Sequence, residues 1–238
     1  MKILFICVLV CISCVSQADR DQQSGRKENA DGTVEIDTFL ALGDSYTIGE
    51  SVGDSERWPE QLADTLKSRG VAIRRVDIIA ETGWTTGELI SGIEKTGNCS
   101  NYDLVSLLIG VNNQYREMDI AIFERDFKKL IKRSIRFASG DRSRVFILSI
   151  PDWGVTPFAQ GREREKIRRE IDRYNMIKER IAAEYGVQFF NITHISREAE
   201  NDNSLVAEDG LHPSAKMYSL WAEKIADSLS CMRGAWNE

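Results

Sequence analysis

A chain of 238 residues with 42% hydrophobic and 29% charged residues has room for one sizeable core, which excludes collagenous, coiled-coil and largely disordered architectures. Its formal charge of −6 argues against nucleic acid or an anionic membrane surface as partner. Neither a repeat nor an internal linker interrupts residues 34–238, so they are expected to form one domain.

Residues 1–18 read as an export signal, with Lys2 as the positive start, an apolar core from Ile3 to Ile12 and small residues after it. The core is shorter than the roughly 20 residues a spanning helix needs. Two processing readings stand side by side. Ser16-Gln17-Ala18 has the spacing for ordinary signal cleavage, and Cys11-Ile12-Ser13-Cys14 has the outline of a lipoprotein site that would acylate Cys14. Either destination is beyond the cytoplasm, periplasmic or extracellular, with a lipid anchor in the second reading. Residues 19–33 are polar and without apolar periodicity, as in a flexible tether. Removal of the signal leaves 30 basic against 37 acidic residues, a net −7, and leaves Cys99 and Cys231 as the cysteines of the domain.

The first strand is expected from Val34 to Leu42. Trp58-Pro59 opens a helix to about Arg69, stopped by Gly70, and Val71 to Ala80 is a second strand. Thr85 or Thr86 caps a short helix to about Lys95, and a loop leads to a strand over Asp103 to Ile109. Ile120, Phe123, Phe127, Leu130, Ile131 and Ile135 recur at helical spacing between Asp119 and Ala138, and a strand follows from Arg144 to Ile150. Arg162 to Tyr185 is dense in charge, but Ile167, Ile171, Tyr174, Ile177 and Ile181 mark one apolar helical face. Val187 to Phe190 is a last short strand, and Pro213 is expected to start the terminal helix. Alternating strands and helices point to an α/β fold with a parallel sheet covered on both faces.

In such a sheet the ligand lies beyond the carboxyl ends of the strands, which selects the loops that matter. Leu40-Ala41-Leu42 stops at Gly43 and hands over to Asp44-Ser45, so a small nucleophile stands at a strand tip, although the tripeptide also serves as a plain turn. After the second strand, Gly83 lets backbone N–H approach a ligand closely. After the third, Asn112 and Asn113 are neutral donors suited to a developing oxyanion. His212 follows Asp209 by three residues, a spacing that lets the carboxylate fold back onto one ring nitrogen while the other faces the cleft. His194, the other histidine, has no such companion and is expected in a loop or the core.

With Gly43-Asp44-Ser45, the Gly83 loop, Gly110-Val111-Asn112-Asn113 and Asp209-Gly210-Leu211-His212-Pro213 in this order, the chain resembles the SGNH hydrolases, the GDSL lipase/esterase family, over essentially the whole exported domain. The resemblance implies a three-layer α/β/α sandwich on a flavodoxin-like five-stranded parallel sheet. It implies Ser45 as nucleophile, Gly83 and Asn112 as oxyanion donors beside the Ser45 N–H, and His212 with Asp209 as base and orienter. Tyr46 stands where the family name has Leu, and Asn113 stands where Asp is frequent, which removes any charge-dependent bracing by that residue.

The expected activity is hydrolysis of small acyl esters, O-acetylated carbohydrates among them, through an acyl-enzyme and without metal or cofactor. Trp84, Tyr115 and Trp153 fall in strand-end loops and are the expected substrate-binding aromatics. A lysophospholipase, thioesterase or acyltransferase would use the same machinery. A non-catalytic carbohydrate-binding lipoprotein is the alternative of another class, against which the complete Ser, Gly, Asn, Asp and His set argues. Cys99 and Cys231 are expected at the face opposite the site, where they could form a disulfide.

Overall fold

Each apolar run that precedes a glycine or a polar loop becomes a strand with its neighbours in register. The structure, a computed structural model, describes residues 27–28, 33–97 and 101–231. The expectations for the export signal, for Cys14 and for a Cys99–Cys231 bridge therefore fall outside the described residues.

The strands are β1 (Lys27–Glu28), β2 (Val34–Gly43), β3 (Val71–Ala80), β4 (Leu104–Leu108), β5 (Val145–Leu148) and β6 (Gln188–Phe190). Five of them are parallel in the order β3-β2-β4-β5-β6, the flavodoxin-like arrangement. Within the stretch expected as a tether, β1 pairs antiparallel with Val34 and Glu35 of β2. The α-helices are α1 (Ser45–Ile48), α2 (Trp58–Ser68), α3 (Thr86–Lys95), α4 (Val111–Tyr115), α5 (Ile120–Phe137), α6 (Arg164–Tyr185), α7 (Thr193–Arg197) and α8 (Ala215–Cys231). Helices α2 and α8 pack together on one face of the sheet, and α3, α5 and α6 cover the other.

Aromatic rings pack in both helical layers. Phe39 of β2 meets Trp58 of α2 and Phe146 of β5 at centroid distances of 6.1 and 6.0 Å. On the opposite face Phe123 of α5 lies 4.5 Å from Tyr174 of α6. Such rings are large contributors to burial, and Trp58, Phe39 and Phe123 are all fully buried.

The terminal helix begins later than Pro213. Pro213 instead forms an isolated antiparallel bridge with Val206, flanked by Ala207 N–H to His212 O at 2.8 Å and Ser214 N–H to Leu205 O at 2.9 Å. Proline has no N–H to lose in such a bridge, so the residue that was expected to open a helix anchors the loop before it. Three short helices, α1, α4 and α7, occupy stretches expected as loops. Four or five residues are too few for an apolar period to register in sequence.

Candidate active site

Strand β2 delivers Ser45 to the end of the sheet. Gly43 is required there by close packing: a Cβ at that position would lie 2.6 Å from Leu108 O and would collide with the Thr47 hydroxyl. The next residue, Asp44, is buried and caps α1, its Oδ1 accepting the Tyr46 N–H at 3.1 Å. Ser45 is thus the first residue of α1 and only 5% exposed, in the lining of a cleft of about 190 Å³.

Two neighbouring loops, which carry Gly83 and Asn112, line the same cleft. Gly83 has φ of +87°, while a Cβ there would meet nothing closer than Arg116 Nη2 at 3.5 Å. Backbone conformation rather than space therefore calls for glycine. The Gly83 carbonyl accepts from Arg116 Nη2 at 2.6 Å, and the same guanidinium pairs with Glu88 at 3.2 Å. Glu88 completes a capping box with Thr85 at the start of α3. Asn112 donates from Nδ2 to Trp84 O at 3.0 Å, which orients the amide and leaves its second N–H for the cleft it lines. Asn113 is fully buried. It accepts the Thr86 N–H and donates to Thr86 Oγ1, both at 3.0 Å, so an uncharged amide ties the Asn112 loop to the start of α3.

On the other side of Ser45 the His212 loop is built around one carboxylate. Asp209 Oδ2 lies 2.5 Å from His212 Nδ1, and Oδ1 accepts the N–H groups of Leu211 and His212 at 2.9 Å each. Ser51 Oγ donates to Asp209 Oδ2 at 2.7 Å. Burial alone would raise the Asp209 carboxyl, but the hydrogen bonds from the His212 ring, the two backbone N–H groups and the Ser51 hydroxyl outweigh it and hold the group well below the usual carboxylate range. An imidazole held by Nδ1 against an ionised carboxylate keeps Nε2 as its proton acceptor. His212 is 8% exposed and lines the cleft with Ser45, and its ring is packed edge-on against Tyr46 at 5.6 Å.

Ser45, Gly83, Asn112, Tyr115, Trp153 and His212 all line the one cleft, and Asp209 stands behind His212. Trp84 does not join them. Its carbonyl holds Asn112, and its ring lies against Gly92 of α3, where any Cβ would collide with it. His194, expected in a loop or the core, is exposed on α7. Sequence reasoning missed Ser51, Arg116 and Phe158, whose partners are far away along the chain. Phe158 completes an aromatic wall with Tyr115 and Trp153 and is tied to the histidine loop by its N–H to Gly210 O at 2.9 Å. No group of three or more His, Cys, Asp or Glu arranged to hold a metal occurs among the described residues.

A model of the GDSL-like lipase/acylhydrolase family matches residues 41–220. An arylesterase of Vibrio mimicus is 22% identical over 231 residues, 96% of this chain and 98% of that protein. Among solved structures, TesA superposes with a TM-score of 0.61 at 20% identity, over 81% of this chain and 97% of that one. The acetylxylan esterase Axe2 of Geobacillus stearothermophilus gives a TM-score of 0.62 at 20% identity, over 81% and 94%. The Pseudoalteromonas esterase EstA, in a structure inhibited by monoethylphosphonate, gives 0.59 at 18% identity, over 82% and 97%. With the family model running from within β2 to within α8, the chain belongs to the GDSL-like lipase/acylhydrolase family and is an ester-hydrolysing enzyme.

Proposed function

We propose that this enzyme is an exported serine esterase that hydrolyses small acyl esters, O-acetylated carbohydrates among them, through an acyl-enzyme on Ser45. The observation that carries the reading is the pairing of His212 Nδ1 with an ionised Asp209, where His212 lines the same cleft as Ser45, Gly83 and Asn112. A turn or a binding loop has no use for an imidazole oriented in this way.

The chemistry follows from these positions. His212 Nε2 takes the Ser45 Oγ proton as Oγ bonds to the acyl carbon, and the carbonyl electron pair moves to oxygen. The oxyanion is received by the N–H groups of Ser45 and Gly83 and by Asn112 Nδ2, each such donor contributing about 3 kcal/mol to the transition state. Asp209 stabilises the imidazolium, which gives its proton to the departing alkoxide as the carbon–oxygen bond breaks. Water then repeats the sequence on the acyl-enzyme and releases the acid. No step needs a metal.

The substrate class is supported by the size of the cleft, about 190 Å³, and by its aromatic wall. Relatives named for aryl and acetylxylan esters support the same choice. Export is supported by the signal-like residues 1–18. A fluorophosphonate probe is expected to label Ser45, and Ser45→Ala is expected to abolish hydrolysis of p-nitrophenyl acetate. Equal turnover by the variant would refute the assignment.

A further inference from the structure

The cleft lining divides by chemistry. Ser45, Thr82, Asn112 and His212 are polar, whereas Val111, Tyr115, Trp153, Phe158 and Leu211 are hydrocarbon or aromatic. The apolar residues are where the tail of an ester, rather than its reacting carbonyl, finds a surface. Three of the rings form one wall: Tyr115 lies 5.4 Å from Trp153 and 6.4 Å from Phe158, and Trp153 lies 6.0 Å from Phe158.

The rings are not equally fixed. Trp153 is buried and donates from Nε1 to Gln114 Oε1 at 2.8 Å, while Gln114 Nε2 donates to Glu170 at 2.8 Å. Tyr115 and Phe158 are 44% and 39% exposed, so little packing restrains them from the solvent side. What gathers them is Arg162. Its guanidinium carbon lies 5.4 Å from the Tyr115 centroid, 5.4 Å from that of Trp153 and 4.9 Å from that of Phe158, and Nη2 donates to the Tyr115 hydroxyl at 3.4 Å. A planar cation over three rings is attracted to each of their faces, and no single ring can swing away without losing part of that attraction.

Tyr115 and Trp153 also line a second cleft of about 190 Å³, to which Arg162 belongs. Tyr115 is the exposed ring common to both clefts.

We propose that Arg162 is a specificity-determining residue: by pinning Tyr115 and Phe158 against Trp153 it closes the apolar side of the reacting cleft and limits the length of acyl chain the enzyme accepts. Arg162 acts through the rings and does not touch the reacting atoms. The inference rests on Ser45 being the nucleophile of this cleft.

The test is a ladder of p-nitrophenyl esters from acetate to octanoate, with the leaving group constant, run on the wild-type enzyme, Arg162→Ala and Arg162→Lys. Arg162→Ala is expected to raise the ratio of kcat/KM for octanoate over that for acetate by about tenfold or more, the effect that even one accommodated methylene has in an apolar pocket. Arg162→Lys, which keeps the charge but not the plane, is expected to fall between. A ratio unchanged in Arg162→Ala would overturn the proposal, as would a change seen only when the alcohol is varied at constant acetate. Ser45→Ala in the same assay separates the two readings: if it is inactive while the Arg162→Ala ladder is unchanged, the wall proposal fails and the nucleophile assignment stands.

Discussion

At the scale of single residues, the site was legible wherever identity and spacing alone carry chemistry. Ser45 follows an apolar strand, and Asp209 precedes His212 by the three residues that a folded-back carboxylate needs. Residues whose role comes from distant partners left no such trace. Ser51 reaches Asp209 across 158 residues of sequence, and Arg116 reaches the Gly83 carbonyl across 33. Trp84 shows the converse, since its place in a strand-end loop was readable but the direction of its ring was not. The Asp209 cluster makes a specific prediction. Asp209→Asn keeps one oxygen for the Leu211 and His212 N–H groups but presents His212 Nδ1 with a neutral amide, which neither selects the productive tautomer nor stabilises the imidazolium. A loss of about 10⁴ in kcat is expected, with KM little changed, in steady-state kinetics on p-nitrophenyl acetate. A loss below tenfold would remove Asp209 from the machinery.

At the scale of elements, the long strands and helices followed from apolar period, whereas the junctions between them depend on buried polar contacts that no period reports. The charged run of α6 was read as a solvated surface, and most of it is. Lys178 is the exception, fully buried on the inner face of α6, with Nζ donating to Ile109 O at 3.0 Å where β4 gives way to the Asn112 loop. It lies within electrostatic reach of Asp44, which caps α1 at the end of β2, so one buried pair joins the ends of two strands and a helix. Burial pushes the Lys178 ammonium down to about 7, and burial likewise pushes the Asp44 carboxyl up to about 7, each opposed in part by the other's charge. Removing one partner leaves an uncompensated buried polar group. Lys178→Met is expected to destabilise the fold by about 3–5 kcal/mol in urea titration, and adding Asp44→Asn is expected to restore part of that loss. Strict additivity of the two substitutions would mean that the groups do not interact.

At the scale of the whole molecule, the sheet order places three loop systems from distant parts of the chain at one end of β2, which is why motif blocks so far apart form one site. The same assembly sets the response to acid. Glu88, Glu124, Asp126, Asp202 and Asp209 are all held below their ordinary carboxylate values. For Glu88 and Asp126, burial opposes the lowering but is outweighed, by hydrogen bonds from Thr85 and Arg116 in the first and from Arg125 and Lys129 in the second. Arg180 lowers Glu124, and Lys216 with Ser204 brings Asp202 to about 2. In each case the unfolded chain binds protons more readily than the folded one. The stabilisation is therefore complete above the unfolded values near 4 and is lost as pH falls through the lowered folded values. Asp44 has the opposite sign, because its raised value favours the folded state while the carboxyl is protonated and that contribution fades as pH rises from about 4 to about 7. The melting midpoint followed by circular dichroism should accordingly drop steeply below about pH 4, and Asp44→Asn should change the slope between about pH 4 and 7 without removing the acid limb. A midpoint that held level from about pH 5 down to about 2.5 would show that these carboxylates are no better accommodated in the fold than in the open chain.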